Sequence, residues 1–184
     1  MKIFILRHEE RDSDHSFDAP LNSSGLSRRH NLTNAINNLC INRVFSSPYK
    51  RTIQTVEPYL EMKNMKINLE YSLYESLTND TNDNNIRELD ENIYSHNRVN
   101  HNYYTFLKKR DLNYGETYED IKIRMNNFIE HLCDTDEFKN DNILLVTHMT
   151  PINSILNRQP MSIYNQGVVS LIYDNDTRVF QQLN

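Results

Sequence analysis

The chain has 184 residues, which fits one folded domain that buries most of the surface of its unfolded form. Its formal net charge is −5 and its pI is about 5.8, so overall electrostatics do not favour nucleic-acid binding, and any anion site must be local. No apolar run approaches the roughly 18 residues of a membrane span, and no leader precedes the first strand. Cys40 and Cys133 are interpreted as small buried thiols at helix ends. We therefore expect a cytoplasmic protein with no membrane partner.

The first third of the chain predicts strands that alternate with helices. Residues 2–6 form a short apolar run that is typical of a buried strand. Leucine and isoleucine at helical spacing then predict a helix that ends near Cys40, and Val44 and Phe45 predict a second strand.

A second helix is predicted directly after this strand. Ser47 is interpreted as its N-cap and Pro48 as its first helical residue, followed by an apolar face that continues to Leu60. Residues 66–70 predict a third strand.

The region 72–113 has the weakest pattern, because Asn, Asp and Tyr interrupt its apolar residues. Short helices are suggested around 86–94 and 103–109. We interpret the region as a cap or insertion above the functional pocket.

Regular elements return after this region. Thr117 and Asp120 predict a capping box at the start of an amphipathic helix. Residues 143–146 predict a buried strand, after which Thr150 and Pro151 are typical of a helix start. The segments 168–173 and 178–183 predict a hairpin.

The alternation of strand and helix predicts a single layered α/β domain over residues 1–184, with a mostly parallel central sheet flanked by helices. His8 and His148 each follow a predicted buried strand. Because ligands bind outside the carboxyl ends of parallel strands, we expect the two histidines to face one another. The alternative is that each histidine only satisfies a local hydrogen bond.

Five motifs in chain order resemble those of the histidine phosphatase superfamily, which has the phosphoglycerate mutase-like fold. They are Arg7-His8, the segment 21–25, the segment 46–55, the segment 115–120 and the segment 146–148. The resemblance implies a three-layer sandwich and a covalent phosphohistidine mechanism.

The resemblance also implies roles for single residues. His8 would be the nucleophile, with one ring nitrogen bound to a backbone carbonyl and the other unprotonated. Arg7 and Arg51 would bind the phosphoryl oxygens through their planar guanidinium groups, and His148 would donate to one of these oxygens. From the residue alone, Arg51 would be interpreted as an exposed helix arginine.

Two further roles are less specific. Arg11 is either part of an enlarged phosphate pocket, as in some branches of the family, or a solvated loop residue. Glu75 is the favoured general acid, since one carboxyl group can protonate the leaving oxygen and later activate water. Its competitors are Glu70, Asp80, Asp83, Glu9 and Glu10.

The chain departs from the family pattern at two positions. Glu9 follows the nucleophile where glycine is usual, and it places a negative charge near an anion site. Met149 follows the second histidine where small or acidic residues are more usual.

The predicted function is hydrolysis of a phosphomonoester on a phosphorylated small molecule or phosphoprotein, with no cofactor and no metal. One alternative is a phosphoglycerate mutase-type phosphotransferase. The other is a weakly catalytic module that binds phosphate esters, which Glu9 would favour. The substrate and the oligomeric state stay open.

Overall fold

A computed structural model describes residues 1–13, 19–77, 98–112, 115–157, 171–174 and 179–182, the last two ranges for the backbone alone. The strands are β1 (Lys2–Arg7), β2 (Arg43–Ser46), β3 (Ile67–Leu69), β4 (Asn142–Thr147), β5 (Leu171–Asp174) and β6 (Val179–Gln182). The helices are α1 (Ser23–Asn37), α2 (Lys50–Lys63), α3 (Tyr118–Asp134) and α4 (Met149–Ile155).

The central sheet has the strand order β1-β4-β2-β3, and all its pairings are parallel. Helices cover both faces, so the strands are apolar on both sides, as in other buried parallel sheets. On one face, Phe4 and Val146 pack with apolar residues of α1 and α2. On the other face, Ile5 and Leu145 pack with α3 and α4. The predicted three-layer α/β architecture is confirmed.

The helix starts are only partly as predicted. α3 begins with the expected capping box, in which Thr117 and Asp120 exchange side-chain and backbone hydrogen bonds. The predicted start of α2 is wrong, because the helix begins at Lys50 and Ser47 is directed elsewhere. α4 begins at Met149, which makes Pro151 its third residue and not its first.

The region after β3, Cys40 and the C-terminal strands differ in how well they match the sequence pattern. Residues 103–107 do not form the suggested helix, and Lys109–Asp111 form only a 3-10 turn. Cys40 is exposed, contrary to the expected buried thiol. The terminal hairpin is confirmed by antiparallel pairing of β5 with β6. The suggested helix at 86–94 lies outside the described residues.

The proposed cap at 72–113 stays a prediction. Its described part includes residues 98–112, which begin with a hydrogen-bonded bridge between Val99 and Ile67 of β3. Among the described residues, no helix is both long enough and apolar enough to cross a bilayer.

Candidate active site

The carboxyl ends of β1, β4 and β2 bring the candidate site residues together at one edge of the sheet. His8 follows β1 and His148 follows the neighbouring β4, and their ring centroids lie 5.2 Å apart in an edge-to-face arrangement. The backbone N–H of His8 donates to the carbonyl of Thr147 at 3.1 Å, which continues the strand pairing into the site. The two histidines therefore face one another, as the strand pattern predicts.

His8 is held in one defined tautomer. Its side chain is buried, and its Nδ1 donates to the carbonyl oxygen of Glu9 at 2.6 Å. The proton is therefore on Nδ1, and Nε2 keeps its lone pair. Burial, followed by the positive charge of Arg51, lowers the pKa of His8 to about 3. The imidazole is thus a neutral base at any physiological pH.

His148 is fully buried and also neutral. Its Nδ1 lies 3.5 Å from Nη2 of Arg51, and its Nε2 lies 2.8 Å from Oγ of Ser47. A guanidinium group only donates, so Nδ1 accepts and Nε2–H donates to Ser47. Burial and the charge of Arg51 lower the pKa of His148 well below its usual value. Ser47, which the sequence pattern suggests as a helix cap, instead orients this histidine.

Two arginines supply positive charge beside the histidines. Arg51 lies in the first turn of α2, buried, with its guanidinium 4.1 Å from the ring centroid of Tyr49. Arg7 ends β1 and is half-buried. Burial lowers the pKa of both guanidinium groups, while the negative charge of Glu75 opposes this shift. A partly desolvated pair of guanidiniums of this kind favours a bound oxyanion.

The carboxylate of Glu75 lies beside this group. Its Oε2 lies 3.8 Å from Nδ1 of His148, and 27% of its side chain is exposed. Because His148 is neutral, this contact is not an ion pair. The carboxylate of Glu75 therefore lies beside His148 and is also accessible to solvent.

The competing carboxylates are occupied elsewhere or not described. Glu70 is fully buried and accepts hydrogen bonds from Ser72, Tyr103 and the backbone at residues 106 and 107. Glu9 and Glu10 both pair with Arg28. Asp80 and Asp83 lie outside the described residues.

Glu9 does not direct its charge at the histidines. Its buried carboxylate accepts from Nε of Arg28 at 2.9 Å, and its backbone N–H donates to Oγ1 of Thr55 at 3.0 Å. Its carbonyl is the group that binds His8. The residue that replaces the usual glycine is therefore fixed at three points, and its carboxylate pairs with Arg28, which Glu10 shares.

Arg11 lies at the margin of the site. Its Nη1 donates to the carbonyl of Asp12 at 2.8 Å. Its charge nevertheless contributes to the lowered pKa of His8, Arg7 and Arg51, which places it within electrostatic range of all three. Direct contact with a substrate stays a prediction.

The lowered pKa of His8 makes stability depend on pH. Unfolding restores a pKa near 6.5, so below that pH the unfolded chain binds a proton that the folded chain excludes until about pH 3. Above pH 6.5 both states leave His8 neutral, and the free energy of unfolding is highest. As the pH falls below 6.5, protonation of the unfolded chain lowers this free energy, by about 2 kcal/mol at pH 5. Urea unfolding at pH 7 and pH 5 should show a smaller drop in the free energy of unfolding for His8→Asn than for the parent. The control His30→Asn, which changes an exposed histidine, should show the same drop as the parent. Equal drops in all three proteins would contradict the lowered pKa of His8.

Within the described ranges, no three histidine, cysteine or carboxylate side chains lie close enough together to bind one metal ion.

Part of the chain is similar in sequence to a known protein. A probable phosphatase of Schizosaccharomyces pombe is 35% identical over 69 residues, which is 34% of this chain and 33% of that protein. The matched segment thus spans about a third of the relative.

Solved structures match over far more of the chain. An ecdysone phosphate phosphatase of Bombyx mori aligns with a TM-score of 0.71 and 13% identity, covering 100% of this chain and 92% of its own. A phosphoglycerate mutase of Bacillus anthracis aligns with a TM-score of 0.68 and 16% identity, covering 100% and 91%. These similarities support the fold. The sequence model of the histidine phosphatase superfamily, branch 1, matches residues 3–184, and the chain belongs to that family.

Proposed function

We propose that the protein hydrolyses phosphomonoesters through a phosphohistidine intermediate on His8. The observation that carries the proposal is the state of that imidazole. It is neutral, its Nδ1 is bound to the carbonyl of Glu9, and its Nε2 keeps the lone pair that a nucleophile needs.

In the first step, Nε2 of His8 attacks phosphorus, and the bond between phosphorus and the ester oxygen breaks. Glu75, in its protonated form, gives its proton to the departing oxygen. In the second step, Glu75 accepts a proton from water as the water oxygen bonds to phosphorus. The bond from phosphorus to nitrogen then breaks, its electron pair returns to Nε2, and inorganic phosphate leaves.

Arg7 and Arg51 would bind the oxygens of the transferring group in both steps. His148 has a further role that follows from its environment. Its Nδ1 accepts from Arg51 at 3.5 Å in the resting site. A phosphate dianion beside the ring would raise the pKa of His148, since an opposite charge favours the protonated imidazole. The protonated ring would then donate to a phosphoryl oxygen as charge develops.

The substrate class that fits the proposal is a phosphorylated small molecule or a phosphoprotein, and the chemistry requires no cofactor. The probable phosphatase to which the chain is similar supports hydrolysis as the reaction. A mutase would use the same first step but would transfer the phosphoryl group to a second hydroxyl in place of water.

The test is a rapid-quench experiment with a phosphate ester labelled in its phosphoryl group. We expect labelled phosphate in solution and a transient protein label that is labile in acid and stable in base, which is typical of phosphohistidine. Label that appears on an added phosphoglycerate and not in inorganic phosphate would indicate the mutase. Binding of the ester with neither label nor release would indicate a binding module and contradict the proposal.

A further inference from the structure

The segment that carries Glu75 has little regular structure of its own. Residues 71–73 form one 3-10 turn, and residues 74–77 belong to no helix or strand. Buried backbone groups of such a segment need partners from elsewhere in the protein. The position of the Glu75 carboxylate therefore depends on what binds this backbone.

Those partners include a buried ion pair. Nε of Arg124 donates to Oε1 of Glu116 at 2.6 Å, and its Nη2 donates to Oε2 at 3.0 Å. Both residues are buried, so the pair is bidentate and shielded from solvent. Glu116 precedes α3 and Arg124 lies within it, so the pair is anchored to a regular element.

The ion pair also binds the backbone on both sides of Glu75. Nη1 of Arg124 donates to the carbonyl of Ser72 at 2.7 Å, and Nη2 donates to the carbonyl of Glu75 itself at 3.2 Å. The N–H of Leu77 donates to Oε2 of Glu116 at 3.2 Å. The guanidinium and the carboxylate together bind three backbone groups within six residues.

We infer that Arg124 and Glu116 are positioning residues that hold Glu75 at the reacting oxygen. The inference rests on the proposed function, since it needs Glu75 to act as the general acid. A lysine at position 124 would keep the charge but lacks the planar fork that reaches the Ser72 carbonyl, the Glu75 carbonyl and Glu116 at once. Displacement of an acid by about 1 Å is enough to slow proton transfer about 10²-fold.

The experiment measures kcat/KM for two esters that differ in their need for an acid. An alkyl phosphate has a poor leaving group and needs the proton, whereas p-nitrophenyl phosphate has a good leaving group and needs it little. We expect Glu75→Gln to lower kcat/KM for the alkyl ester by about 100-fold and for the aryl ester much less. Arg124→Lys should also affect the alkyl ester more than the aryl ester, with a loss of about tenfold for the alkyl ester. Combining Arg124→Lys with Glu75→Gln should add no further selectivity, because Arg124 acts through Glu75.

Controls separate positioning from a general loss of stability. Arg43→Lys is the matched control. Arg43 pairs with Asp141 at the amino ends of β2 and β4, far from the site at their carboxyl ends, so this variant should leave both rates unchanged. Glu116→Gln serves as a second variant if Arg124→Lys folds poorly, and it should show the same selectivity.

The outcomes distinguish this inference from the proposed function. If Glu75→Gln slows the alkyl ester more than the aryl ester, but neither Arg124→Lys nor Glu116→Gln does so, the positioning inference is overturned and the proposed function stands. If Glu75→Gln slows both esters equally, the assignment of the acid fails, and the inference fails with it.

Discussion

Replacing His8 with alanine is expected to reduce kcat for phosphate release by about 10⁴-fold or more, because in the proposed mechanism Nε2 of His8 forms the bond to phosphorus. Steady-state release from p-nitrophenyl phosphate measures the loss. The rapid-quench label should also disappear, since the acceptor nitrogen is absent. These two readouts test the same atom by independent means.

The control for this variant is His30→Ala, which removes an exposed imidazole from α1 and should retain parent activity. Residual turnover in His8→Ala within tenfold of the parent would show that another group is the nucleophile. Far-ultraviolet circular dichroism of both variants would show whether each one has folded.

Replacing Arg51 with lysine is expected to lower kcat/KM by about 10² to 10³-fold, although the formal charge is unchanged. A single ammonium cannot bind two phosphoryl oxygens in the planar geometry of the guanidinium. The substitution also removes Nη2, which contacts Nδ1 of His148 at 3.5 Å. The inhibition constant for inorganic phosphate should rise with the loss of rate, because in the proposed mechanism the Arg51 guanidinium binds both substrate and product.

Arg29→Lys offers a matched comparison for Arg51→Lys. Arg29 lies in α1 and pairs with Glu57 at 2.9 Å, so it is a partly buried helix arginine outside the candidate site. Parent-like turnover and phosphate inhibition are expected in this variant. A parent-like inhibition constant in Arg51→Lys would argue against a role for Arg51 in phosphate binding.

The sequence could predict the convergence of His8 and His148 because two independent patterns agree. Each histidine follows an apolar run of strand length, and parallel strands end at one edge of a sheet. The strand order was not required for this prediction. The layered architecture followed from the same alternation of strands and helices.

The contacts of the site were harder to predict, because they join residues with no local pattern between them. Ser47 before Pro48 has the signature of a helix cap, yet its hydroxyl binds His148 across the sheet edge. Glu116 lies just before α3, whose start the sequence predicts, and Arg124 lies inside that helix. Nothing in that local pattern shows that they bind the backbone around Glu75.

The ion-pair partner of Glu9 could not be predicted from the sequence either. Its charge beside the nucleophile suggests weakened anion binding, and the sequence alone contains no sign that Arg28 of α1 is its partner. Gly25 of α1 lets this helix lie directly against the segment that contains Glu9 and Glu10, because glycine has no side chain. A Cβ at that position would lie 2.2 Å from the carbonyl oxygen of Glu10.

The candidate site also requires the long-range pairing of β1 with β4. These strands come from distant parts of the sequence, with Arg7 in register with Thr147. A partly folded chain in which only β2, α2 and β3 have packed would contain Arg51 but neither histidine in place. Because closing a long stretch of chain costs conformational entropy, we expect the proposed phosphoryl transfer only in molecules in which β1 and β4 have paired.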